Sequence, residues 1–195
     1  ASQELAIAQR EYAVQRVNGV PQKTVTPPAE VLARIRQESA MVGKARRRSE
    51  DRQDFLNTYR WPLIGPITGV FGSQRVYNGT PGRPHYGVDV ARPVGATVTA
   101  PNSGVVTLVH NDMFYSGGTL IIDHGQGISS TFIHLSKILV APGQEVETGQ
   151  PIAEVGATGR ATGPHLDWRM NWHGQRLDPA LLVGPMPSEL APVSE

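Results

Sequence analysis

Three short segments hold the residues best able to do chemistry. HYGVDV places His85 four residues before Asp89, FIHLS carries His134, and PHLDW places His165 two residues before Asp167. Strand side chains repeat every two residues, so His165 and Asp167 share a face where the chain is extended. The same alternation across 130–136 sets Phe132 and His134 on one face. Pro84 and Gly87 mark a loop entering a strand, from which His85 and Asp89 can converge without helical spacing. Imidazole and carboxylate together suit a hard or borderline cation, and they also suit proton transfer. Three His and two Asp in three such segments therefore point to a metal or acid/base site. His110, His124 and His173 lie beside Asn, Asp or Gly. They read as surface or hydrogen-bonding residues, His124 in IDHGQG as part of a hairpin turn.

The elements that must position this set are short β-branched runs between Gly, Pro, Asn and Asp turns. From Trp61 onward they include GVVTLVH, GGTLIIDHGQG, ISSTFIHL and QPIAEVG. This texture predicts an antiparallel sheet protein over 61–183. Upstream, Tyr12, Val14 and Arg16 alternate as a strand would, without a pairing partner in the next 40 residues. Residues 1–27 therefore read as an extended segment, the end of an upstream domain, followed through PQKTVTPP by a helical linker over 28–60. Pro28 suits a first-turn position, and Val31, Ile35, Val42 and Ala45 keep a helical spacing. The basic tract Lys44–Arg48 reads as a solvated helix face. Residues 184–195, ending PMPSELAPVSE, read as a disordered tail.

Composition narrows the function classes. The 195 residues are 39% hydrophobic and carry a net charge of +1. Residues 1–60 hold 11 Lys+Arg against 7 Asp+Glu, and residues 61–195 hold 7 against 10. The β-rich part is thus acidic by three charges and a poor partner for nucleic acid. No apolar run approaches the roughly 18 residues that span a membrane. With no cysteine, disulfides, thiolate metal sites and cysteine nucleophiles are excluded.

The order H-x-x-x-D in HYGVDV, then FIHLS, then TGRATGPHLD resembles the lysostaphin/LytM-like zinc metallopeptidases. The resemblance extends from WPLIGPITGVFG through GVDVARPVGATVTAP and GQEVETGQPIAEVG to RLDPALL, covering about 61–183. It implies a mainly β fold: an antiparallel sandwich or split-barrel core with a substrate groove, here preceded by the helical segment. It implies one Zn2+ per chain, with His85 and Asp89 as the first two ligands. His134 and His165 match the two histidines that act on the attacking water and the developing oxyanion without binding metal. The implied activity is hydrolysis of peptide crosslinks in bacterial peptidoglycan, in the periplasm or outside the cell. Tyr77, Phe114 and Tyr115, in loops 72–84 and 110–118, are candidate groove-wall residues.

Asp167 departs from the pattern, standing where the family has the second histidine of an H-x-H motif. A carboxylate is a legitimate zinc ligand. A His/Asp/Asp set brings one more negative charge, weakens the metal as a Lewis acid and tolerates harder divalent metals such as manganese. The alternative is an inactive LytM-like binding module that regulates another cell-wall hydrolase. A carrier domain is a poorer match. The hairpin tip of GQEVETGQPIAEVG offers Glu147 and Thr148 where a lipoyl or biotinyl domain needs lysine, and a phosphocarrier would leave Asp89 and Asp167 idle.

Overall fold

The computed structural model describes residues 11–187. The strands are β1 (Val14–Val17), β2 (Ile67–Gly69), β3 (Gln74–Tyr77), β4 (Thr80–Pro84), β5 (Val88–Ala91), β6 (Thr97–Thr99) and β7 (Gly104–Met113). They continue with β8 (Gly117–Asp123), β9 (Ile128–Leu135), β10 (Lys137–Ile138), β11 (Glu145–Val146), β12 (Pro151–Glu154), β13 (His165–Trp172) and β14 (Gln175–Leu177). Helices α1 (Gln22–Val25) and α2 (Ala29–Arg47) lie between β1 and β2.

The main sheet runs β11-β7-β8-β9-β13-β5-β2, with β14 added on β13, and a smaller one runs β10-β12-β6. Their facing residues share one core. Val98, Ile152 and Ala153 of the small sheet join Val90, Val106, Leu120, Ile122, Phe132, Leu166 and Trp168 of the large one. The result is a mainly β, antiparallel two-sheet sandwich, as the sequence predicts. Trp61 closes one end, its ring edge-on to Trp168 at 6.0 Å and its indole N–H bonded to Gly184 O at 2.9 Å. Residues 184–187 of the expected tail are thus described, Gly184 tied to Trp61, and 188–195 lie outside the described residues.

Period-two alternation on β13 does the positioning. Leu166, Trp168 and Met170 are fully buried on the core face. His165, Asp167 and Arg169 therefore project from the opposite face. On β5, Val88 and Val90 enter the core and Asp89 projects oppositely, in register with Asp167.

On β9 the expected alternation fails at one residue. Phe132 pairs with Trp168 in the core, but His134 has φ +66° and turns to the other face, beside His165. The β8–β9 register slips here, between the pairs Leu120–Phe132 and Gly118–Leu135, so Leu135 returns to the core. This is a β-bulge that re-aims one side chain. Phe132 and His134 therefore lie on opposite faces, contrary to the strict alternation. A left-handed conformation at a non-glycine residue is uncommon and costs backbone strain. Backbone and side-chain bonds hold it: His134 N donates to Ser116 O and its ring nitrogen Nδ1 pairs with Thr158 O, both at 2.8 Å.

The third sheet is β1-β3-β4, in which β1 pairs in parallel with β3, Val14 opposite Gln74. Helix α2 lies against the main sheet, where Ala45 and Val42 pack on Leu108, Met113 and Ile121. Lys44, Arg47 and Arg48 are exposed, as expected of the basic tract. Arg46 is not: it reaches Thr131 Oγ1 at 3.1 Å, and burial pulls its pKa down to about 9.

Candidate metal centre and groove

Strands β5, β9 and β13 bring all five predicted site residues onto one face. His85, just before β5, turns its Nε2 between the two carboxylates, 3.0 Å from Asp89 Oδ1 and 3.2 Å from Asp167 Oδ2. The three residues are buried, and their ligand atoms lie within 4.8 Å of one another. His165 Nε2 stands 3.8 Å from Asp89 Oδ1. The His134 and His165 rings are 4.8 Å apart. His85, Asp89 and Asp167 thus form one cluster, with His134 and His165 as a pair at its edge.

A backbone carbonyl faces Nδ1 of each of these histidines. Val70 O lies at 3.3 Å from His85, Thr158 O at 2.8 Å from His134 and Gly163 O at 2.8 Å from His165. A carbonyl only accepts, so Nδ1 carries the proton and donates it. In the neutral ring Nε2 then keeps its lone pair. For His85 that lone pair would face two carboxylate oxygens, an arrangement stable only with a proton or a cation between them. Burial works to lower the His85 pKa, but hydrogen bonding and charge from Asp167 and Asp89 outweigh it and raise it to about 9. Without a metal, His85 is an imidazolium at neutral pH. Burial pushes the His134 pKa down to about 4, against a smaller upward pull from Asp167, so this ring stays a neutral base.

The donor set fits a divalent cation. Two donors each about 2.0–2.1 Å from a tetrahedral ion stand roughly 3.3 Å apart, close to the two separations seen here. His165 Nε2 is also buried with no hydrogen-bond partner among the described residues, and Asp89 Oδ1 faces only His85. Orphaned buried polar atoms are costly and call for a missing partner.

Two arginines add what the five-residue set leaves out. Arg75 on β3 pairs with Asp89 Oδ2. Arg169 grips Asp167 with both arms, Nε to Oδ1 at 2.9 Å and Nη2 to Oδ2 at 2.6 Å. Burial works to raise the Asp167 pKa, but the charge of Arg169 and the bond to His85 hold it well below the usual carboxylate range. Burial and Asp167 likewise push Asp89 up, while His85 and Arg75 prevail and lower it. Arg169 was readable in HLDWR, since a residue two beyond Asp167 on a strand shares its face. Arg75 carries no such local signal.

A groove of about 330 Å³ opens beside Asp89 and His165, lined also by Gln15, Arg16, Arg75, Tyr77 and Arg160. Strands β1 and β3 form one wall, tied down by Gln15, which donates to Thr68 O and accepts from Arg75. The Arg160 guanidinium lies over the rings of Tyr77 at 4.4 Å and Tyr115 at 4.8 Å. Tyr77 thus lines the groove and Tyr115 supports its wall. Phe114 instead packs edge-on to Tyr115 at 4.9 Å.

Residues 83–179 match the family model for peptidase family M23. Residues 83–179 form an M23 peptidase domain. Among curated proteins it is 40% identical over 107 residues to peptidoglycan DD-endopeptidase ShyA of Vibrio cholerae, covering 55% of this chain and 25% of that protein. It is 30% identical over 124 residues to murein hydrolase activator NlpD of Escherichia coli, covering 64% and 31%. Among solved structures, a zinc-containing peptidase from Vibrio cholerae superposes with a TM-score of 0.59 at 34% identity, covering 67% of this chain and 41% of that one. The chain thus spans about a quarter to a third of the length of these two curated relatives.

Proposed function

We propose that this domain is a metal-dependent endopeptidase that cleaves peptide crosslinks of bacterial peptidoglycan. The observation that carries the reading is the inward-facing His85 Nε2 between two carboxylates, with the buried His165 Nε2 beside them left without a hydrogen-bond partner among the described residues. In this reading His85, Asp89 and Asp167 hold one divalent metal, zinc by likeness to the zinc-containing Vibrio structure. A metal bound there supplies Lewis acidity and makes water nucleophilic near neutral pH. His134, its Nδ1–H committed to Thr158 O, offers Nε2 as the general base and returns the proton to the leaving amine. His165, held through Gly163 O, faces the same point and, once its Nε2 also carries a proton, donates to the developing oxyanion. The groove walled by β1 and β3 takes the extended peptide. Peptidoglycan lies outside the cytoplasm, so the protein would work in the periplasm or after secretion.

A second reading has its own support. Arg169 and Arg75 already balance both carboxylates, as a binding module that works without metal would require, and NlpD is named as an activator. Purified protein incubated with crosslinked muropeptide dimers, with and without a chelator, separates the two. Monomers that appear by mass spectrometry and vanish with the chelator support the endopeptidase. Intact dimers with zinc supplied would leave the binding module.

A further inference from the structure

The two arginines hold their carboxylates differently. Arg75 takes only Asp89 Oδ2, leaving Oδ1 free of either arginine and 3.0 Å from His85 Nε2. Arg169 takes both oxygens of Asp167, including Oδ2, the same atom that faces His85 Nε2 at 3.2 Å. The oxygen Asp167 would offer to a metal is therefore already engaged by a guanidinium. Such a fork is among the stronger side-chain pairings, and a permanent cation opposes a second cation on the same oxygen. Accessibility differs too. The Arg169 side chain is 25% exposed while that of Asp167 is 1% exposed. Arg169 thus keeps some contact with solvent, while the carboxylate it holds keeps almost none.

We propose that Arg169 is an internal competitor for the metal. As the resident counter-cation of Asp167, it lowers metal affinity and sets how readily the site loads and empties. The proposal rests on the reading that the cluster binds a divalent cation. Position 167 and position 169 act as a pair: the carboxylate adds a negative charge that attracts metal, and the arginine takes that attraction back.

The test is zinc affinity, read by competition with a chromophoric chelator, for wild type and Arg169→Met, with near-ultraviolet circular dichroism as the check on fold. Arg169→Met should bind zinc at least tenfold more tightly. That gain supports the proposal even if the wild type binds no zinc, in which case only the endopeptidase reading falls. A wild type that binds zinc beside an Arg169→Met that binds no better, or worse, overturns the proposal and leaves the endopeptidase reading intact. Zinc bound by neither overturns both. Should Arg169→Met fail to fold, the comparison moves to Asp167→His against Asp167→His/Arg169→Met. There the double variant should again bind at least tenfold more tightly, and equal or weaker binding overturns the proposal.

Discussion

Gly87 sits between the two candidate ligands of HYGVDV, and strand β13 runs directly beside it. A Cβ placed there would stand 2.6 Å from Trp168 O and 2.6 Å from Arg169 Cγ, and closer still to Asp167 Oδ1. Real Cβ contacts essentially never fall below 3.0 Å. The Asp167 carboxylate is fixed by Arg169 and His85, and the Trp168 carbonyl belongs to the strand backbone paired with Val88. Neither yields cheaply. Gly87→Ala must therefore push β13 from β5 by roughly half an ångström or rotate Asp167 off its partners, at a cost of about 1–3 kcal/mol. For a chain of this size that lowers the melting temperature by about 2–4 °C per kcal/mol. The matched control is Gly163→Ala, where nothing lies within 4 Å of the added carbon. Its stability should stay within about 0.5 kcal/mol of wild type. Urea unfolding of both variants, with zinc binding measured beside it, tests the packing argument. A Gly87→Ala protein as stable as Gly163→Ala, with unchanged zinc affinity, would refute it.

His134→Ala and His165→Ala should each lower crosslink hydrolysis by at least about 10²-fold while leaving zinc content unchanged. Loss of zinc in either would exchange the roles of ligand and catalyst. His124 makes a prediction away from the site. It is fully buried between Ser103 O at 2.7 Å and Ser130 Oγ at 2.8 Å, and burial lowers its pKa to about 4. The unfolded chain takes up this proton from about pH 6.5 downward and the folded chain does not, so stability is complete above pH 6.5 and declines toward pH 4. The loss reaches about 3 kcal/mol at most. Urea unfolding at pH 7 and pH 4.5 should show it, and the difference should shrink in His124→Gln.

The site was legible where local periodicity set it. His165 and Asp167 are two residues apart on an edge-free strand, and His85 and Asp89 flank a strand entry, so sequence spacing alone aimed them together. His134 was found as a residue but misplaced by alternation, because a bulge with a left-handed residue depends on the loop carbonyls that pin it. The strand at 14–17 was visible in its alternation, but its partner at 74–77 was not, since parallel pairing leaves no short-range turn signal. The groove wall built from these strands was hidden for the same reason. Arg169 shows the reverse case: its face was implied by spacing, yet its role emerges only once Asp167 is seen held between it and His85.

The central claim is that His85, Asp89 and Asp167 together hold a divalent metal. Its most direct test is the metal content of the purified domain, by plasma mass spectrometry after zinc loading and dialysis, with Asp89→Ala measured in parallel. The account predicts about one zinc per wild-type chain and a large loss in Asp89→Ala. A wild type that retains no metal, or an Asp89→Ala that retains as much, would contradict it.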